Sequence, residues 1–447
     1  MKSWVIADMA DVLPFRGLRY APNQAGVLSS LITPPYDVIN DRQQELFYRR
    51  NPHNIIRLEF AKDAPDGNNK YTRAAATLTD WLQTGVLFQE QHPAFYLVEH
   101  RFPFRDGYQS YWGLVAAVRL EDFETGNIRP TEVIMKAPAA DRLNLLRSCQ
   151  ANLSPIMGIF NHDDGGLLSL FPDLDLDNPS LTAIDDSEVT FNVWVIDNED
   201  SVREVSRFFA ERPIYIADGH HRYTTALAYR NERLASHPAN SSDEPFNFLM
   251  MTIISSNDPG LTLLPTHRLV RNVEPERIAN LENRLKDYFR IQEIPPTSPD
   301  AVENLFHWTG ILGKAASSDL AIGVYGLAGK DYLLLTPHDA SALRNTLPED
   351  KPSAWKNLDV SLLHSVILQG MLGIDNPEKE RECLAYSPHE AELVQKVTAG
   401  TSQLAFFLNP IPVPSVLAIA DAGTRMPPKS TYFYPKTPAG LVINPLF

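Results

Sequence analysis

Cysteine is nearly absent: Cys149 and Cys383 are the only two, far apart and in no ligand pattern. That excludes a disulfide framework and a cysteine zinc site, fits a reducing cytosol, and makes neither a candidate nucleophile. No apolar run approaches membrane-spanning length, and Met1-Lys2-Ser3-Trp4-Val5-Ile6-Ala7-Asp8 meets a carboxylate before it builds a signal-peptide core. A cytoplasmic protein without a membrane partner is expected. Positive charge is also short. The 40 Lys and Arg against 55 Asp and Glu leave −15, so no uniform field draws nucleic acid. Any anion site must be a local pocket. The Walker A and Rossmann glycine patterns are missing, as are HExxH and the G-x-S-x-G elbow, so a nucleotide site would be of another kind and a Ser-His-Asp triad has no anchor.

What is present is an ordinary globular composition, 44% hydrophobic and 10% aromatic, over 447 residues. That length allows two or three packed domains. The 35 prolines sit in loops rather than in low-complexity tracts. The most informative run is Ile214-Tyr215-Ile216-Ala217-Asp218-Gly219-His220-His221-Arg222-Tyr223. A β-branched segment reads as a buried strand, Gly219 allows a sharp turn, and Tyr223, Ala226, Leu227 and Arg230 recur at helical spacing. The helix opens at the polar cluster. Free amides at its start, beside Arg222 and two imidazoles, make a seat for a phosphate or carboxylate. A plain helix cap needs only Asp218 and leaves His220, His221 and Arg222 unexplained.

Elsewhere the pattern predicts a helix over Tyr71 to Thr84, paired strands around Asp106-Gly107, and a helical turn from Glu132 into Asp141-Arg142-Leu143. Strands follow at 156–160, 190–195 and 246–255, with a helix around Ser201 to Ala210. Short strands are expected at 14–20, 33–39 and 54–59. Alternating elements give an α/β or α+β class. Parts are expected at 1–120, 121–271 and 272–447, the main boundary near Arg271 where charged and proline-rich segments begin. The last part carries a basic loop, Lys429-Ser430-Thr431, set between prolines to face an anion.

The anion-binding groups are therefore His220, His221, Arg222, His267, Arg268, Arg142 and Lys429 to Thr431, with Asp218 and Glu132 as acids. Phosphoryl transfer needs such a set, because it proceeds by positioning and charge neutralisation, with Mg²⁺ on an acid and a carboxylate taking the nucleophile's proton. A metal hydrolase using His220, His221 and His267 is an alternative, although adjacent histidines rarely point the same way. For His267-Arg268 and Lys429 the plain readings are a surface contact and a solvated lysine.

Five motifs, at 14–20, 34–39, 217–223, 264–268 and 427–436, together resemble domain-of-unknown-function family 1015 over essentially the whole chain. The Asp-Gly-His-His-Arg segment followed by a helix also resembles the ParB/sulfiredoxin-like fold, which includes free-serine kinases. That likeness covers one domain, placed at 121–271, and implies a mixed-sheet nucleotide-binding fold. It implies ATP or ADP with Mg²⁺, phosphates held by Gly219, His220, His221, Arg222, His267, Arg268, Lys429, Ser430 and Thr431, and Asp218 on the metal. Glu132, Asp218 and His220 would be catalytic, Glu132 activating the acceptor hydroxyl. The family's usual His-Glu-x-Thr is replaced here by Thr131, Glu132 and Ile134. The implied substrate is L-serine or phosphoserine. A nucleotide-switched regulator is the alternative, and a homodimer is compatible with either.

Overall fold

The computed structural model describes residues 10–63, 69–104, 107–133, 139–162, 166–236, 242–300, 302–317, 319–330 and 332–447. Asp106 and Ile134 fall outside them. The chain divides into two units: unit 1 comprises Met1–Pro130, Lys136–Thr262 and Pro435–Phe447, and unit 2 comprises Thr131–Met135 and Leu263–Tyr434.

Unit 1 is built on a nine-stranded mixed sheet. Its principal elements are β1 (Phe95–Phe104), β2 (Gly107–Arg119), β3 (Ile128–Pro130), α1 (Ala139–Cys149), β4 (Ile156–Phe160), β5 (Leu181–Ile184), β6 (Thr190–Ile196), α2 (Glu199–Phe209), β7 (Ile214–Asp218), α3 (His220–Ser236) and β8 (Phe248–Ser255). Their order is β3-β7-β4-β8-β2-β1-β6-β5, and Val12–Leu13 adds to β2. β7 runs parallel to β3 and β4 parallel to β8, while the other pairs are antiparallel. The division expected at residue 120 therefore runs between strands of one sheet. There β2 hydrogen-bonds to β8, more than a hundred residues downstream.

Eight of eight residues in β8 are buried, which is why it reads as a continuous apolar run rather than an alternating one. Val118, Ile128, Phe160, Ile214, Ile216 and Tyr223 share one core, each buried Ile or Phe contributing about 1.5–3 kcal/mol relative to exposure. A helix over Lys70–Gln83 starts at Asn69, whose side chain accepts from the Tyr71 amide, and it buries Ala74, Leu78 and Trp81 on one face. Two segments expected as strands are instead short helices. Asn54 accepts from the Ile56 amide and starts a turn over Ile56–Glu59, and Tyr36–Val38 forms a 3₁₀ turn after Pro35. The local turn that Asn54 makes with the Ile56 amide and the fixed φ of proline outweighed the β-branched composition.

Unit 2 carries a six-stranded antiparallel sheet. Its strands are β9 (His267–Val270), β10 (Phe289–Ile294), β11 (Ile322–Tyr325), β12 (Tyr332–Pro337), β13 (Leu384–Ser387) and β14 (Leu404–Phe407), in the order β10-β12-β11-β14-β9-β13. Trp308 packs edge-on to Phe407 in its core. Among the described residues no helix is long and apolar enough to cross a membrane.

Candidate functional site

The strand, turn and helix expected at Ile214 are present as β7 and α3. Gly219 joins them at φ +94°, and a Cβ there would lie 2.5 Å from the Ile156 side chain, so only glycine fits. A register shift against β4 between Ile216 and Asp218 is a local bulge, and bulges re-aim the side chains that follow them. Asp218 is thereby turned into a charged cluster. Its Oδ1 accepts from Lys436 Nζ at 2.6 Å and its Oδ2 from Arg222 Nη2 at 3.0 Å. Lys436 Nζ also lies 3.6 Å from Asp37.

From Arg222 the charges continue inward with alternating sign. Arg222 Nη1 donates to the Pro155 carbonyl at 2.8 Å and to Ser154 Oγ at 3.2 Å, and Ser154 donates to the buried Glu59 at 2.9 Å. Arg142 donates to the Glu59 carbonyl at 2.7 Å and to Asp141 at 2.6 Å, and its guanidinium lies 4.0 Å from the Tyr36 ring centre. Burial opposes the charge on Arg222, but Asp218, Asp37, Tyr36 and Glu59 outweigh it and hold the group above its usual range. Burial likewise pushes Asp141 up, yet Arg142, Tyr71 and Lys70 together hold it down to about 2. A cavity of about 60 Å³ lies between Glu59, Arg142, Ser154 and Arg222. It has room for water and none for a nucleotide.

His220 is buried as the first residue of α3, and the His221 carbonyl accepts from the Thr225 hydroxyl at 2.7 Å. Asp218 does not fit Mg²⁺ as it stands, because both oxygens already face cations, and among the described residues no three His, Cys, Asp or Glu side chains gather to hold a metal.

The remaining expected residues belong to unit 2. Thr131 and Glu132 are extended, Glu132 bridging in parallel to Met426, and the described helix spans Ala139–Cys149. The Glu132 carboxylate accepts the amides of Lys429 (3.1 Å), Ser430 (3.0 Å) and Thr431 (2.8 Å) and the Thr431 hydroxyl at 2.6 Å. Lys429 adopts φ +56°, which turns successive N–H groups into one anion-binding concavity. The basic loop does face an anion, and that anion is Glu132. Among the described residues these three amides and the Thr431 hydroxyl all point at Glu132, the carboxylate expected as a base, rather than at open space.

His267 is buried, and its Nδ1 accepts the Leu408 amide at 3.1 Å. Its Nε2 is 3.6 Å from Glu390, beyond hydrogen-bond reach. Burial pushes its pKa down. With Nδ1 accepting an amide, the imidazole ties β9 to the residue that follows β14. Arg268 is buried too, donating to the Thr266 and Pro428 carbonyls and facing the Tyr386 ring at 5.3 Å. Burial pushes its pKa down, against the pull of Tyr386, Glu132 and Glu380.

Sequence reasoning missed Asp37, Glu59, Ser154 and Lys436 as site residues. The signal was available in part, since Asp37 and Lys436 lie in two of the quoted motifs. It also missed a unit 2 cavity of about 340 Å³ lined by Arg344, Asp359 and Asn409.

The sequence matches the profile of a protein family described as of unknown function (DUF1015) over residues 12–361. No curated protein matches it. Similar solved structures include a free serine kinase in complex with AMP, at 13% identity and TM-score 0.32, covering 69% of this chain and 84% of that one. A conserved hypothetical protein from Pyrococcus furiosus has 13% identity and TM-score 0.34, covering 70% and 90%. SbnI with a C-terminal truncation, from Staphylococcus aureus, has 11% identity and TM-score 0.33, covering 74% and 87%. At these values none lends its activity to this chain.

Proposed function

This chain belongs to the DUF1015 family of proteins of unknown function, and from that premise we propose that it is a nucleotide-dependent phosphotransferase acting on a small hydroxylated metabolite, L-serine first among the candidates. The observation that carries the reading is the Asp218, Arg222 and Lys436 cluster, set where β7 passes through Gly219 into α3. Helix-start amides and two cations at one point make a seat for phosphate oxygens. The seat is consistent with the nucleotide-binding branch of the ParB/sulfiredoxin-like fold, to which the Asp-Gly-His-His-Arg segment was likened.

In the transfer, the acceptor hydroxyl oxygen bonds to the terminal phosphorus of ATP or ADP as the bridging P–O bond of the anhydride breaks. The shortened nucleotide leaves with the added negative charge, and the hydroxyl proton passes to a carboxylate. Asp37 is the carboxylate with oxygens to accept it, since it meets Lys436 at 3.6 Å and makes no hydrogen bond among the described residues. His220, His221 and Arg222 would hold the phosphates. No step is assigned to Mg²⁺, because Asp218 already has two cationic partners. The metal-hydrolase alternative lacks a ligand set among the described residues.

Phosphorus NMR of the protein with ATP or ADP, Mg²⁺ in the buffer and L-serine tests the reading against an Asp218→Ala control. A phosphoserine signal that the variant loses supports it. Nucleotide binding with no phosphoester for any acceptor would replace it with the nucleotide-switched regulator.

A further inference from the structure

Resting on the phosphotransferase reading, we infer that Lys436 is the cation that meets the terminal phosphate of the nucleotide, exchanging Asp218 for a phosphate oxygen. The first ground is its position. The ammonium sits 2.6 Å from Asp218 and 3.6 Å from Asp37, with a side chain only 10% exposed, at the point where α3 begins.

The second ground is how the fold holds that position. The residues on either side of Lys436 are tied to strands of the sheet by buried polar contacts. The Pro435 carbonyl accepts from Tyr111, and Thr437 Oγ1 meets His100 Nε2 at 2.8 Å and Thr252 at 3.0 Å. Burial pushes His100 down to about 3, so this anchor stays uncharged across the working pH range. A lysine needed only for a surface ion pair would not require buried hydrogen bonds on both sides.

The third ground is the contrast with Arg222. Its guanidinium is also fixed by Ser154 and Pro155, two neutral acceptors that an incoming phosphate does not displace. Lysine is a point charge on a flexible stem, suited to follow a phosphate from one oxygen to another. Asp37 and Asp218 balance Lys436 and Arg222 in charge, so an added phosphate competes with the carboxylates. The ammonium shared between two of them is the one that moves.

Calorimetric titration with AMP, ADP and ATP, without Mg²⁺, tests this. In the wild type, affinity should rise about tenfold with each added phosphate, the scale of one charge-assisted contact. Lys436→Met should lose the gain at the terminal phosphate and keep AMP affinity within about twofold. Asp37→Asn, which releases the ammonium from one competitor, should bind ATP more tightly than the wild type does. Lys436→Arg keeps the charge and carries the test if the Met variant unfolds; it should retain part of the gain. Equal loss for AMP and ATP, or an unchanged gain, overturns the role of Lys436 while leaving the phosphotransferase reading standing. No nucleotide binding by the wild type overturns both.

Discussion

Unit 1 and unit 2 both bury charges, and they neutralise them differently. In unit 1 charge faces charge: Lys436, Asp218 and Arg222 form one run, and Arg142, Asp141 and Lys70 another. In unit 2 dipoles take a larger share, although Glu132 and Glu380 also pull on the Arg268 charge. Glu132 is held by three amides and a hydroxyl, Arg268 by two carbonyls and a ring, and Asp359 by the Ala321 amide and Asn409. A charge paired with a mobile counter-charge can exchange it for a charged ligand. A charge caged by backbone dipoles cannot do so without rearranging the chain. On this contrast rests the proposal that the cluster at Asp218 is functional and the cage around Glu132 structural.

The largest expected effect breaks the unit 1 run. Arg222→Ala removes a buried cation from Asp218 and from the Ser154–Glu59 link, and should cost about 3–5 kcal/mol of stability by denaturant unfolding. Arg222→Lys keeps the charge, so weaker nucleotide binding in that variant reports the lost geometry rather than unfolding. Next is Glu132→Gln, which leaves buried amides facing an amide group. It should cost about 2–3 kcal/mol and leave nucleotide affinity within about twofold. A large loss of affinity in a folded Glu132→Gln protein would blur the contrast between the units.

The pH dependence separates the units by sign. Asp141 is held down to about 2, below its unfolded value near 4, so its contribution is present above about pH 4 and is lost as pH falls toward 2. Asp359 is pushed up to about 6 by burial. Its contribution is present below about pH 4 and is lost as pH rises through 6. Asp141→Asn should therefore flatten the acid side of a plot of Tm against pH, and Asp359→Asn the side between 4 and 6. The smallest effect belongs to Lys429. Its side chain is exposed and, among the described residues, it is its amide that meets Glu132, so Lys429→Ala should shift stability by under about 0.5 kcal/mol.

Much of unit 1 was legible because its signals are local. The β-branched run before Gly219 and the spacing of Tyr223 and Ala226 mark the turn and helix within fifteen residues. Asp37, Asp218 and Lys436 meet across about four hundred residues of chain, and no local pattern carries that. Glu132 reads as a base because it is an available acid and aligns with the glutamate of the family's His-Glu-x-Thr segment. Its cage depends on a left-handed residue at Lys429, where sequence statistics favour glycine or asparagine. His267 and Arg268 look like ligands in sequence, and no local pattern shows that both are buried with backbone partners.

The most direct test compares ATP affinity in Arg222→Lys and Glu132→Gln at a temperature where both are folded. The expected result is a loss of at least about tenfold for the Arg222 variant, for one charge-assisted contact, with affinity retained by the Glu132 variant. Retained binding in Arg222→Lys together with loss in Glu132→Gln would contradict the assignment of the anion site to the charge-paired cluster.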